Sequence, residues 1–413
     1  MTLNSPAPLA TTRTPLGFVE FVILMAFMVS ITAMATDVML PALDRIGSDL
    51  GVSDPNQTQL VISSLFLGFA LGQALAGPMS DSFGRKPVIY GGYAIFLVGC
   101  ALSLWAQSWE AMIAGRVLQG FGAAFPRIVT IALVRDGFAG REMARIMSVV
   151  MAVFILVPTI APAVGQLVLA FSDWHAMFGV LIAMAVGACG WFALRQPETL
   201  PHDARRPFSL RSIQTGLVEV CASRVAIGYT VAAGLIFGAF LTYLSTAQQI
   251  FQQIYDTGPL FALYFAMAAL AIGGASMVNS MLVMRLGMRS LTRTAMIGIA
   301  IASALFAGPV VMFDGVPPFW MFMLWLLVVF FCTGILFGNL NAIAMEPLGH
   351  IAGLGAALVG SGTTFISLPL AWYLGHLFDG GVLPLIGGFG VLASAALVVI
   401  LWADRDENVA PAE

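Results

Sequence analysis

Gly77-Pro78-Met79-Ser80-Asp81-Ser82-Phe83-Gly84-Arg85-Lys86-Pro87 is a short charged island between two long apolar runs. Gly77 lets two helices approach closely, and Gly84 permits a tight turn. Asp81 stands near Arg85 and Lys86, where a conformation-dependent ion pair can latch one face of a helical bundle. A positive loop with a helix-capping acid explains these charges but not their full spacing.

Outward from the island the apolar runs repeat. A window of about twenty residues marks spans near 16–40, 57–79, 88–106, 109–134, 144–171, 174–194, 223–250, 258–284, 290–312, 317–345, 350–377 and 382–403. Each must be a helix, because backbone polar groups in hydrocarbon have to be satisfied within their own segment. Composition agrees: 59% of the 413 residues are hydrophobic and 9% charged, against about 25% charged in soluble domains. Charge that sparse cannot coat a water-exposed surface, so lipid is the solvent for most of the chain. Arg13, the run Phe18–Ile31 and Ala33-Met34-Ala35 imitate a cleavable signal peptide. The apolar stretch continues from Leu16 to about Leu40, long enough to cross a bilayer, and is read as the first span.

Several function classes drop out. A net charge of −3 with one lysine, Lys86, provides no basic field for nucleic acid. The four cysteines show no CxxC spacing, so neither a disulfide framework nor a metal site is expected. No HExxH, GxSxG or P-loop lysine motif is present, so the chain reads as neither an enzyme nor an ATP-driven pump, and no cofactor is expected.

Cations set the orientation. Of 18 Arg and Lys residues, all but Arg45, Arg116 and Arg127 fall in the tails or the even-to-odd connections. The opposite connections hold acids such as Asp44, Asp49, Asp54, Asp173 and Asp256. The positive-inside rule then places both termini in the cytoplasm of a bacterial inner membrane. The longest polar connection, with Pro197, Pro201 and Pro207, divides the chain into a six-helix bundle at 1–194, a cytoplasmic linker at 195–222 and a second six-helix bundle at 223–413. Phe208, Leu210, Ile213, Leu217 and Val218 in the linker read either as a surface-lying helix or as an ordinary connection. Gly84-Arg85-Lys86 is echoed by Gly287-Met288-Arg289, 203 residues later (84 to 287), as two parallel repeats would require.

The opening segment resembles the signature between helices two and three of the major facilitator superfamily. Thr36-Asp37-Val38-Met39-Leu40-Pro41-Ala42 is similar to the Thr-Asp-Met-Tyr-Leu-Pro-Ala segment of its Bcr/CflA drug-efflux branch. Phe69-Ala70-Leu71-Gly72-Gln73, Arg116-Val117-Leu118-Gln119-Gly120, Val134-Arg135-Asp136 and Glu346-Pro347-Leu348-Gly349-His350-Ile351-Ala352-Gly353 resemble that branch too. Val157-Pro158-Thr159-Ile160-Ala161-Pro162-Ala163-Val164-Gly165 resembles the antiporter motif of span five, with Gln166 where a second glycine is usual. Arg127 is an addition to the general pattern. The resemblance implies an all-α membrane protein of twelve transmembrane helices in two six-helix bundles. It also implies proton-driven export of small, mostly apolar compounds such as antibiotics. The alternative is a transporter of one specific metabolite, possibly anionic.

Charged side chains at bilayer depth cost about 2.5–3.5 kcal/mol each on insertion scales and usually face a cavity or a partner. Asp37 reads either as a helix-end cap before Pro41 or as a carboxylate that takes up and releases a proton. Arg116, at similar depth in span four, is either a structural partner or, as the resemblance implies, part of the proton pathway. Arg127, about 16 Å deeper, is an anion anchor for substrate or a structural ion-pair partner near Pro126. Gln119 and Asn341 are counted with it as candidate substrate contacts. Gly77, Asp81, Gly84, Arg85 and Lys86 form the expected latch, and Pro158, Pro162 and Gly165 the expected hinge. Glu20 and Glu346 are read as helix-end charges. Expected partners are a small-molecule substrate, protons and the lipid bilayer, with the chain as a monomer.

The cation asymmetry makes a direct prediction. A reporter active only in the periplasm, fused after Glu413, should give no signal; a strong signal would overturn the twelve-span topology.

Overall fold

Polar backbone groups without water must bond locally, and the chain accordingly folds into helices almost throughout. The computed structural model describes residues 16–205 and 207–405. Arg13, Arg206 and both extreme termini, counted above among the cationic segments, lie outside the described residues. The first half comprises α1 (Phe18–Asp37), the short α2 (Leu43–Asp49), α3 (Leu60–Phe83), α4 (Arg85–Leu104), α5 (Trp109–Gly137), α6 (Gly140–Phe171) and α7 (His175–Arg195). The connection carries α8 (Leu210–Ala222), the helix foreshadowed by the apolar residues of the linker. Then follow α9 (Arg224–Gln248), α10 (Phe261–Leu286), α11 (Met288–Met312), α12 (Phe319–Met345), α13 (Ala352–His376) and α14 (Leu383–Ala403).

Phe319–His376 is a continuous helical stretch of 58 residues, far too long for one crossing. Non-helical Leu348 (φ −102°, ψ 15°) breaks it inside the 3-10 turn Glu346–Ile351. α12 and α13 are therefore separate spans, and among the described residues twelve apolar helices are long enough to cross a bilayer, six in each half. Two boundaries moved. α1 stops at Asp37 because Pro41 cannot donate into a continuing helix, and the chain turns through Leu40–Ala42 instead. α3 runs on to Phe83, past the expected end near 79, so Asp81 lies on the helix rather than in the connection. It ends at Gly84 with φ 100°, ψ 162°, and the repeat glycine Gly287 adopts φ 77°, ψ 154° between α10 and α11. Side chains with a Cβ rarely adopt such a backbone, so the echo in sequence is a shared turn geometry.

The halves meet where α3 packs on α13 and α6 packs on α10. Gly77 faces Ala357 and Gly353 across the first of these seams. Pro158 and Pro162 sit inside α6, which runs unbroken from Gly140 to Phe171. Gly165 lies so close to the end of α1 that a Cβ there would collide with the Val38 carbonyl oxygen. The glycine thus sets how tightly α6 approaches the turn that follows Asp37.

At the end opposite the cations the halves are tied by carboxamides. Asp44 of α2 accepts from Gln248 Nε2 at 2.5 Å and from Gln253 Nε2 at 3.0 Å. Gln59 donates to Gln249 Oε1 at 2.9 Å and to the Gly375 carbonyl at 3.2 Å. Asn56 donates to the Phe378 carbonyl at 3.0 Å, and Gln166 to that of Gly258 at 3.4 Å. The helix widens to a π-turn at Gln249–Ile254, which lets Gln248, Gln249 and Gln253 all serve this seal. The seal makes a prediction: in a background lacking the four native cysteines, Asn56→Cys with Phe378→Cys should cross-link on oxidation and stop transport. Asp44→Ala removes two charge-assisted bonds worth about 1.5–3 kcal/mol each and should lower the cross-linking yield; equal yield would mean the seal does not hold this end shut.

Candidate functional site

α1 and α5 bring the two charges of the first half to one level, without an ion pair. Arg116 is fully buried. Its Nε donates to the Val61 carbonyl at 2.9 Å, and Nη1 donates to Ala35 O at 3.0 Å and Gln119 Oε1 at 2.5 Å. Nη2 has no partner. Arg116 is therefore fixed to the backbone of α1 two residues before Asp37 and to that of α3, with one nitrogen free. Asp37 is 3% exposed, and among the described residues nothing donates a hydrogen bond to its carboxylate. In the other half, α9 carries the hydroxyl of Tyr243. That hydroxyl is buried and has no hydrogen-bond partner. Sequence reasoning missed Tyr243, since nothing in a lone tyrosine within an apolar span marks what it faces.

The three candidate substrate contacts do not converge. Gln119 is fully buried and its carboxamide is taken up at both ends, accepting from Arg116 and donating to Cys100 Sγ at 2.9 Å. It positions Arg116 here. Asn341 is exposed near the end of α12, whereas Asn339 pairs with Asn279 of α10 at 2.9 and 3.1 Å. Arg127 is half-buried between two rings, its guanidinium carbon 5.0 Å from the centre of Phe69 and 4.7 Å from that of Phe154. Among the described residues it has no hydrogen bond and no ion pair, so the structural pairing beside Pro126 is not formed.

At the cationic end the expected latch contains partners beyond the motif. Arg85, with only 3% of its side chain exposed, donates to Asp81 Oδ1 at 2.6 Å, Ser80 Oγ at 2.9 Å and Asp136 at 2.9 and 3.4 Å. Lys86 does not join Asp81. Its Nζ donates to the Ala193 carbonyl at 3.2 Å and lies 5.8 Å from the Tyr90 ring centre. The reason is the turn: Gly84 breaks the helix between Asp81 and Arg85 and folds the start of α4 back so that Arg85 meets Asp81, while Lys86 points toward α7. Glu198, beyond α7, accepts from the backbone N–H groups of Arg85 and Lys86 at 2.9 and 3.0 Å, so a carboxylate sits at the start of α4 where the helix dipole favours it.

The second half repeats the arrangement. Arg289 donates to Glu346 at 2.9 Å and to Asp404 at 3.4 Å, and Arg293 donates to Asp404 at 2.6 Å. Tyr229 adds its hydroxyl to both oxygens of Asp404 at 3.1 Å. Glu20 is bound by Arg195 at 2.7 and 2.8 Å. Glu20 and Glu346 are thus paired helix-end charges, unlike Asp37. The roles of Asp136, Glu198 and Asp404 were missed, although the repeat of the glycine turn was the available signal: each half needs acids around the arginine that follows it.

Comparison with known proteins adds the family. The model of the Major Facilitator Superfamily matches residues 23–368. The chain is 32% identical to the MFS-type transporter YdgK of Bacillus subtilis (strain 168), over 78% of this chain and 80% of that one. It is 29% identical to a bicyclomycin resistance protein homolog of Haemophilus influenzae, over 83% of this chain and 85% of that one. The fold is similar to that of the xylose transporter XylE from E. coli, with a TM-score of 0.72 at 12% identity, over 93% of this chain and 97% of that one. Twelve apolar helices in two halves, paired glycine turns clasped by arginines, and a family match across most of the length lead to one conclusion: the chain belongs to the Major Facilitator Superfamily of transporters and fits its Bcr/CflA-like branch.

Proposed function

We propose that this chain exports small, mostly apolar compounds such as antibiotics across the bacterial inner membrane in exchange for protons, by alternating access, with both termini in the cytoplasm. One observation carries the coupling: Asp37 is a buried carboxyl group that no donor satisfies, level with a buried guanidinium that has one nitrogen free. An uncompensated buried charge is expensive, so closing the outer seal favours the neutral form of Asp37. Asp37 takes up a proton from outside when the halves part at that end and carries it as the seal closes; substrate arriving from the cytoplasmic side then lets Arg116 Nη2 meet the carboxylate, and the proton leaves to the cytoplasm. Gly165 places the Pro158 and Pro162 segment against the turn after Asp37, so movement of α6 reaches the carboxyl directly. The Arg85 clasp holds α3, α4 and α5 together at the cytoplasmic end through Asp81 and Asp136. The relative named a bicyclomycin resistance protein homolog supports the substrate class.

Arg127 supports a second reading, a transporter of one anionic metabolite. A guanidinium between Phe69 and Phe154 with no protein acceptor suits an anionic group attached to an apolar body. Competition separates the readings in cells lacking their major efflux pumps. Lipophilic cations should compete for export under the first, and small organic anions, with loss on Arg127→Ala, under the second.

The proton assignment is tested with purified protein and a compound to which the wild type confers resistance. Substrate addition should release protons from the wild type. Asp37→Asn should release at least about tenfold fewer, while still binding substrate, because the amide mimics the protonated acid; Arg116→Ala should impair coupled efflux comparably, a tenfold loss being about 1.4 kcal/mol. Undiminished release from Asp37→Asn would place the proton site elsewhere.

A further inference from the structure

At the cationic end, on the flank away from the seam between the halves, a pocket of about 660 Å³ opens between the start of α4 and the segment after α7. Lys86, Pro87 and Tyr90 line one side; Glu198 and Arg205 line the other. Lys86 is the only lysine in the chain. An ammonium has three donors, and the Ala193 carbonyl at 3.2 Å is the one acceptor Nζ has among the described residues. Arg205 has a buried Nε without a partner and forms no ion pair among the described residues. The acid on the wall keeps its negative charge but spends its oxygens on backbone donors. Glu198 Oε1 accepts from the backbone N–H groups of Arg85, Thr199 and Leu200, and Oε2 from that of Lys86. Two cations thus face one pocket whose only carboxylate is already occupied by backbone donors.

We propose that this pocket binds the anionic phosphodiester headgroup of a membrane lipid, with phosphatidylglycerol as the chemical type. The phosphate oxygens would take the free donors of Lys86 and Arg205. The position favours a lipid over a dissolved anion. Lys86 is the second residue of a membrane-spanning helix, and Tyr90 and Phe192 flank its stem, with Lys86 Nζ 5.8 and 5.9 Å from their ring centres. A tyrosine ring such as that of Tyr90 suits headgroup depth, and basic pockets between helices at the cytoplasmic side are suited to anionic headgroups. Occupancy would tie the segment 198–205 to α4. That segment already contacts the Arg85 clasp, since Thr199 Oγ1 donates to Asp136 at 2.9 Å. A bound lipid would therefore stiffen the clasp from outside the transport route, whichever substrate the transporter carries.

The single lysine makes the test direct. The full-length protein is produced with ¹³Cε-labelled lysine and placed in nanodiscs of phosphatidylcholine alone or mixed with phosphatidylglycerol; the Lys86 signal is assigned by its loss in Lys86→Arg. The signal should shift only in the mixed discs. Arg205→Gln, whose side chain has no partner in the protein to lose, should weaken the lipid response severalfold while the helical circular-dichroism signal is unchanged. Inorganic phosphate or glycerophosphoglycerol added to phosphatidylcholine discs should produce no comparable shift. A comparable shift with either soluble anion would make this a site for dissolved phosphates and overturn the lipid assignment. No shift with phosphatidylglycerol, or a response unaltered by Arg205→Gln, would show that the headgroup does not occupy the pocket.

Discussion

A polar group inside hydrocarbon has no water to fall back on, and this requirement organises the whole molecule. It makes every span a helix and ties Arg116 to two backbone carbonyls and a glutamine. It also draws Thr and Ser hydroxyls back onto their own helices, as with Thr130 on Pro126 O at 2.6 Å. Against that background of satisfied groups, the exceptions are informative. Among the described residues, Asp37 and Arg127 are charge-bearing side chains in the spans left without a hydrogen bond or an ion pair.

The same requirement explains the contrast between the two ends. At the cationic end the bonds are ionic and lie mostly within one half: Arg85 with Asp81 and Asp136, Arg289 with Glu346 and Asp404. These clasps make each half rigid. At the other end the bonds run between halves and use glutamine and asparagine amides, with Asp44 as the one charged partner. Neutral hydrogen bonds are individually weak, about 0.5–1.5 kcal/mol net. A seal of many small contacts can be exchanged for water one bond at a time.

Glycine supplies the geometry on which this depends. Gly84 and Gly287 allow the sharp turns that deliver Arg85 and Arg289 to their acids. Gly165 lets α6 touch the backbone beside Asp37. A side chain at Gly84 or Gly287 would strain a backbone with positive φ, and one at Gly165 would push α6 away from the Val38 carbonyl beside Asp37.

Much of this was legible from the chain alone, because the governing signals are local. Twenty-residue apolar runs, cations on alternate connections and the repeated glycine turn need only neighbours in sequence to be read. They were sufficient for the twelve spans, the two halves, the Asp81–Arg85 pair across the glycine turn, and the unusual status of Asp37, Arg116 and Arg127. Partnerships between distant segments were not legible. That Glu198 accepts from the first backbone N–H groups of α4, that Gln119 reaches Cys100 of α4, and that Lys86 turns to a pocket all depend on which helices become neighbours and how they rotate. In an apolar span, hydropathy has almost the same value on every face, so it cannot say which face a side chain presents; close packing around glycines and the demand that each buried donor find an acceptor decide that only when the helices assemble.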